Sequence, residues 1–246
     1  MHIEIIGSTS AGKTTLAKQM VAAGKAIGVD IVLSDDFMLQ QTHLSWIQNE
    51  FIRRRLVETI SLAVCLTCLN RYGNLFKFVL HESKNCPGSW FYKINRMRNV
   101  VRKFGIFEFI SRKSQSQQFV VADNEGILQG VHNLFVHEYG QADLCKITRY
   151  VELVPLPDVV VYLQLEEDVL VARTLARGHA RLSTGSQDRV VHFIRQAITV
   201  FNEITNVPKV QDRLLIVDGE LNVQRQTGES SNVDFKGITQ LVGTEN

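Results

Sequence analysis

GSTSAGKTT, from Gly7 to Thr15, follows the strand-forming run MHIEII and opens the helical pattern KTTLAKQMVAAGKAIG. Two glycines and a lysine at the mouth of a helix are a poor arrangement for the chain alone. The macrodipole disfavours a cation there unless an anion is also present. The spacing Gly7-x4-Gly12-Lys13-Thr14 supplies the reason, because it is the phosphate-binding P-loop pattern. Glycines let backbone N–H groups converge on phosphate oxygens, and the helix N-terminus adds partial positive charge. The pattern predicts that Lys13 bridges the β- and γ-phosphates of a nucleotide and that the Thr14 hydroxyl ligates Mg²⁺. Gly7, Ser10, Ala11, Gly12, Lys13, Thr14 and Thr15 are then the nucleotide-contacting set.

Outward from this loop, strand-like and helix-like segments alternate. DIVLSDD (Asp30 to Asp36) reads as a second strand ending in two acids, and QFVVADNEG as a third, continuous in Phe119 to Ala122. GILQGVHNLFVHEYG reads as helical. LPDVVVYLQLEED contains a fourth strand (Val159 to Leu165), and RLLIVDGE a fifth. DVLVARTLARGH and RVVHFIRQAITVFNEI (Arg189 to Ile204) are helices between them, the second amphipathic. Such alternation implies parallel βαβ units in an α/β domain whose ligands bind beyond the carboxyl ends of the strands. Residues 37–118 read as helical, with turns near Gly73 and at NCPGS, and the tail from about residue 225 reads as loop.

Composition narrows the class. The chain has 246 residues, 45% hydrophobic and 21% charged, which suits one α/β domain with an inserted helical lobe. A net charge of +2 does not by itself imply nucleic acid or membrane as a partner. Its four cysteines form no disulfide scaffold, and the sequence starts without a secretory pattern, so the expected compartment is the reducing cytoplasm. The longest apolar run, Thr59 to Leu69, is too short to span a bilayer and reads as a buried helix. Cys65-x2-Cys68 lies within it, where cysteine is usually a small core residue rather than a zinc ligand.

The strand-end acids carry the next expectations. Asp123 ends the third strand as a metal-holding carboxylate should, opposite Thr14. Glu125 would orient the acceptor or a water, or begin the next helix. Asp35 or Asp36 would take the proton of an acceptor hydroxyl, or cap the following helix. Arg173 and Arg177, four apart and so on one helix face, would stabilise charge on a transferred phosphoryl group, with Arg181 beyond. Between Ser83 and Lys113, eight basic side chains stand against Glu108. They read as the solvated side of a helix whose apolar side is Ile94, Met97, Val101 and Phe104. If that segment binds an anionic acceptor instead, Arg98 and Arg102 are the first candidates.

With these residues assembled, the chain resembles the P-loop small-molecule kinases of the thymidylate kinase and deoxynucleoside kinase group. The resemblance rests on GSTSAGKTT, SDD, ADNEG and LPDVVVYLQLEEDVLVARTLARG, and it covers about residues 1–36 and 119–220. It implies a P-loop NTPase three-layer sandwich with a five-stranded parallel sheet, ATP with Mg²⁺, and a lid over 177–188. Residues 37–118 lie outside the resemblance and read as the helical acceptor-binding lobe; the acids Asp35 and Asp36 favour a hydroxyl acceptor such as a nucleoside, and the basic middle segment a nucleotide. Arg173 and Arg177 carry over as lid-side arginines, and Asp35 or Asp36 as the proton-accepting carboxylate. The acid–arginine pair that these kinases commonly keep after the third strand reads Asp123-Asn124-Glu125 here, so no particular acceptor carries over. An NTP-hydrolysing switch and a nucleic-acid end kinase are the alternative readings, and the sequence leaves room for a homodimer.

Overall fold

In the computed structural model, residues 1–86, 89–113, 119–137, 141–178 and 187–219 are described, together with the backbone of 223–225. The chain begins with β1 (His2–Ile6), α1 (Lys13–Ile27), β2 (Ile31–Leu33) and α2 (Ser34–Gln41). Three long helices follow: α3 (Glu50–Cys68), α4 (Gly73–Asn85) and α5 (Trp90–Lys113). The chain then returns to the sheet through β3 (Val120–Asp123), α6 (Gly130–Phe135), α7 (Leu144–Leu153) and β4 (Val159–Leu163). It ends with α8 (Glu167–Arg177), α9 (Gln187–Asn206), α10 (Pro208–Gln211), β5 (Leu214–Val217) and β6 (Val223–Arg225).

The strands form one sheet in the order β2-β3-β1-β4-β5-β6. The first five are parallel, as expected, while β6 adds an antiparallel edge beside β5. Every residue of β1 and of β4 is buried, which matches a parallel sheet flanked by helices. From β1 the chain runs to β2 on one side, whereas β4 lies on the other. The loop after β1 therefore sits where the strand order reverses, the place at which open α/β sheets bind ligands.

Several expectations are corrected. β2 stops at Leu33, and Asp35 and Asp36 lie in the first turn of α2, where carboxylates face the positive end of the helix dipole. β4 ends at Leu163 rather than Leu165, and α6 is shorter than the helix read over GILQGVHNLFVHEYG. β6 was not expected: it ends where the segment read as a polar tail begins, and three residues give too short an alternation to stand out. The apolar run Thr59–Leu69 is helical but half-buried: Leu62 is 50% and Leu66 58% exposed on the outer side of α3.

The basic segment is a solvated face only in part: Lys84, Arg98, Arg112 and Lys113 are exposed. Arg96 and Lys103 are buried, while Ile94, expected on the apolar side, is exposed. The cause is tertiary. α5 is enclosed by α2, α3, α4 and α6, so its second half from Lys103 to Ile110 is buried on every side. A second hydrophobic cluster, including Phe37, Val57, Ile106, Ile110 and Val121, joins these helices to the β2–β3 edge. Residues 87–88, 114–118, 179–186 and 226–246 lie outside the described residues, so most of the expected lid and nearly all of the expected polar tail are not characterised.

α3 and α5 cross at Gly105, where a Cβ would stand 2.0 Å from the carbonyl oxygen of Ser61. Alanine gains up to about 1 kcal/mol in helix propensity over glycine, but overpacking against rigid backbone costs about 1–3 kcal/mol. Gly105→Ala is therefore expected to lower stability, read as a reduced denaturant midpoint at unchanged m-value. An unchanged or raised midpoint would show that the crossing is looser than its geometry implies.

Candidate active site

The loop between Ile6 and Lys13 is built for backbone approach. Gly7 has φ 149° and Gly12 has φ 101°, where a side chain is strained. At Gly7 a Cβ would also meet the Leu163 carbonyl oxygen of β4 at 2.8 Å. Ser10, at φ 64°, is held by a hydrogen bond that its Oγ accepts from Thr174 Oγ1 at 3.1 Å. α1 then starts without a capping side chain and with no acid in its first turn. Its first N–H groups are thus left for a ligand, the arrangement that receives anions.

Among the described residues Lys13 has no carboxylate partner. Its Nζ donates to the carbonyl oxygens of Gly7 and Ser8, both at 2.8 Å. Burial lowers the pKa of this ammonium to about 8, with the charge of Glu125 acting in the opposite direction. Thr14 Oγ1 accepts from Asn124 Nδ2 at 2.9 Å, which ties the loop to the end of β3.

A cleft of about 780 Å³ opens over this loop. Arg173 and Arg177 reach it from α8, and Asn99, Arg102 and Lys103 from α5. Five basic side chains thus line it against one carboxylate, Glu125. Such a wall favours a polyanion.

The cations are not equivalent. Among the described residues no carboxylate lies within ion-pair distance of Lys13, Arg173 or Arg177. Arg102 Nη2, by contrast, donates to both oxygens of Asp35, at 2.9 and 3.0 Å. Lys103 donates to the Glu125 carbonyl and stands 3.9 Å from its carboxylate. Burial raises the pKa of Asp35, helped by the charge of Asp123 and opposed by Arg102. The α5 side of the cleft is therefore already charge-compensated, while the loop and α8 side is not.

The structure separates the two acids of SDD. Asp35 pairs with a cleft residue, whereas Asp36 pairs with Arg53 and lines a different hollow together with Lys18. Consecutive helical positions point about 100° apart, so only one acid can face the loop. Asp123 lies behind the cleft wall, buried, and its Oδ1 accepts from Ser34 Oγ at 3.3 Å and from the Glu125 amide at 3.0 Å. Burial raises its pKa. Arg98 is exposed and does not line the cleft. Arg181 lies outside the described residues.

Sequence reasoning missed Asn99, Lys103, Gln129 and His132, all of which line the cleft. Asn99, Arg102 and Lys103 share one helix face by their i, i+3, i+4 spacing, a usable signal. Gln129 and His132 gave none. His132 packs against Phe193 and Phe201 and reaches Thr9 Oγ1 at 3.4 Å. Cys65 and Cys68 are buried, and no group of potential metal ligands occurs among the described residues. Nor is any described helix long and apolar enough to cross a membrane.

Fold and site together define a P-loop α/β protein with a cationic cleft over its loop. The sequence matches no family model and no curated protein. Among solved structures, the chain is similar to deoxyadenosine kinase from M. mycoides with bound dATP, at 14% identity over 90% of this chain and 93% of that one, with a TM-score of 0.39. The same enzyme with products dcmp and a flexible dcdp bound gives 14% identity over 90% and 92%, with a TM-score of 0.43. Shikimate kinase from Acinetobacter baumannii in complex with shikimate gives 14% identity over 98% and 92%, with a TM-score of 0.37.

A polyphosphate beside Lys13 would raise its pKa from about 8 back toward the ordinary 10.5. Binding would then take up a proton between those values, so affinity must fall as pH rises through them. Titration of inorganic tripolyphosphate is expected to show affinity steady up to about pH 8 and weakening by up to about tenfold per pH unit above it. A flat profile to about pH 10 would mean that the lysine does not meet the phosphate chain.

Proposed function

We propose that the protein is a phosphotransferase that moves the γ-phosphoryl group of ATP to a hydroxyl of a small, uncharged acceptor, a nucleoside being the favoured class. One observation carries this reading: Lys13, Arg173 and Arg177, which have no carboxylate partner among the described residues, lie on the loop side of the cleft, while the cations on the α5 side are paired with Asp35 and Glu125. A triphosphate suits the first side. An acceptor bearing its own phosphate would find both cations on the second side already paired among the described residues, and would meet the Glu125 carboxylate there.

The chain's own groups then have distinct tasks. The loop amides and Lys13 hold the β- and γ-phosphates, and Arg173 and Arg177 neutralise the phosphoryl group in flight. Asp35 takes the proton of the attacking hydroxyl. Its raised pKa makes it a better base than an ordinary surface carboxylate, and Arg102 keeps it oriented. Glu125, Asn99 and Asn133 offer hydrogen-bonding groups to the acceptor. The donor set fits a hard divalent cation: the Thr14 hydroxyl lies on the cleft, and buried Asp123 has one carboxylate oxygen without a hydrogen-bond partner. Mg²⁺, held by Thr14 directly and by Asp123 through water, would supply charge neutralisation between the phosphates.

The test is ADP formation with ATP and Mg²⁺ across a panel of nucleosides and the corresponding monophosphates, with product mass followed for one added phosphoryl group. Uncharged acceptors should raise turnover and monophosphates should not. If neither does, the protein hydrolyses nucleotide for another purpose and the kinase reading is withdrawn. Under saturating ATP, Lys13→Ala should abolish transfer without loss of fold, because its ammonium contacts only loop carbonyls. Asp35→Asn should lower kcat by about 10²–10⁴-fold. Asp36→Asn should leave kcat close to wild type, since its carboxylate lies in the other hollow.

A further inference from the structure

Glu4 is anomalous. It sits in the middle of β1, fully buried, in register with Asp123 on the neighbouring strand. Burying a carboxyl in a central strand is costly unless hydrogen bonds compensate. Its Oε1 accepts from the backbone N–H of Gln129 at 2.8 Å. The turn that carries Gln129 is folded around this contact. At Gly126 a Cβ would stand 2.3 Å from the Glu4 carboxyl carbon, so no larger residue fits there without displacing it. Tyr150 pins the same turn by donating its hydroxyl to the Ile127 carbonyl at 3.0 Å.

Held in this way, the Gln129 side chain grips the first peptide of the phosphate loop at two points. Its Oε1 accepts from the Gly7 N–H at 3.2 Å, and its Nε2 donates to the Gly7 carbonyl at 3.1 Å. That same carbonyl also accepts from Lys13 Nζ at 2.8 Å. Gly7 is buried, so its carbonyl needs a donor at all times.

We propose that Gln129, held by Glu4, is a positioning residue that keeps the Gly7 carbonyl satisfied and so frees Lys13 to leave it for a bound phosphate. The inference rests on the reading of the loop as a nucleotide cradle. Without Gln129, moving Lys13 onto the ligand would strand a buried acceptor, and the lysine would be held back. The relay acts on ligand binding through Lys13, which separates it from a general role in holding the loop's shape.

That difference is measurable as a coupling between the two side chains. The probe is a non-hydrolysable ATP analogue with Mg²⁺, titrated into the full-length protein. Gln129→Met preserves length and removes both hydrogen bonds, and it should raise Kd by about tenfold. In a Lys13→Ala background the same change should raise Kd by less than about twofold, because no lysine remains to be released. Glu4→Leu should mimic Gln129→Met, while Glu4→Gln, which can still accept from the Gln129 amide, should restore affinity to near wild type. Equal losses from Gln129→Met in both backgrounds would assign it a purely structural role and overturn the proposal, as would wild-type affinity in Gln129→Met. If the wild-type protein itself binds no triphosphate, the cradle reading fails and the relay fails with it. Should Glu4→Leu not fold, the Gln129–Lys13 cycle still decides the matter.

Discussion

Everything in this molecule is arranged around an uncapped helix start at the carboxyl edge of a parallel sheet. Six residues between Ile6 and Lys13 must turn the chain from strand to helix, and of their N–H groups those of Gly7 and Ala11 are taken by Gln129 and the Ser8 carbonyl. Most helices satisfy the donors of their first turn with a side-chain cap. α1 does not, and an acid in its first turn, the next simplest remedy, is also missing. The turn is affordable because β1 and β4 are locked in register beside it and because Gly7 lets the β4 backbone approach. The local deficit in hydrogen bonding is thus sustained by the sheet, and it leaves donors of the kind an anion would satisfy.

The second organising feature is how charge is distributed over the cleft. A uniform ring of cations would hold any polyanion in several positions. Here Asp35 and Glu125 neutralise the α5 side, so only the loop and α8 side attracts phosphate strongly. Attraction falls off with distance and is weaker still where charges are already paired. On the kinase reading proposed above, a triphosphate would lie along the loop and α8 side, with the acceptor on the compensated side. Orientation of this kind is what an in-line transfer needs, since little of its barrier is removed by anything other than positioning and charge.

How far the sequence revealed this depends on whether a feature is local. The loop was legible because its spacing repeats a backbone geometry that needs no distant partner. The strands β3, β4 and β5 were legible because burial on both faces writes itself as continuous apolar runs, and β1 because Ile3, Ile5 and Ile6 stand directly before the loop. Arg96 and Lys103 of α5 were misread because their burial depends on α2, α3, α4 and α6 closing around them, and no periodicity within residues 90–113 records that. Asp35 and Asp36 could not be told apart for a related reason. Adjacent acids look alike in sequence, and only the start of α2 at Ser34 rotates one toward Arg102 and the other toward Arg53. Gln129 was invisible, since its importance lies in a turn shaped by a strand residue 125 positions away.

Glu4, Asp123 and Lys103 show what such an arrangement costs the fold. Burial, helped by the charge of Asp123, pushes Glu4 up to about 8, and burial likewise raises Asp123 and lowers Lys103, so each is held in an environment that opposes its charge. An apolar trio of similar volume would be at least as stable, because desolvation commonly outweighs the attraction between buried charges. Their retention in the centre of the sheet is hard to explain by stability. It is explained by reach: Glu4 holds the turn behind the loop, Asp123 holds the Ser34 hydroxyl and the Glu125 amide, and Lys103 holds the Glu125 carbonyl. Each of these contacts fixes a segment that borders the cleft, so the buried charges act as anchors for the exposed ones.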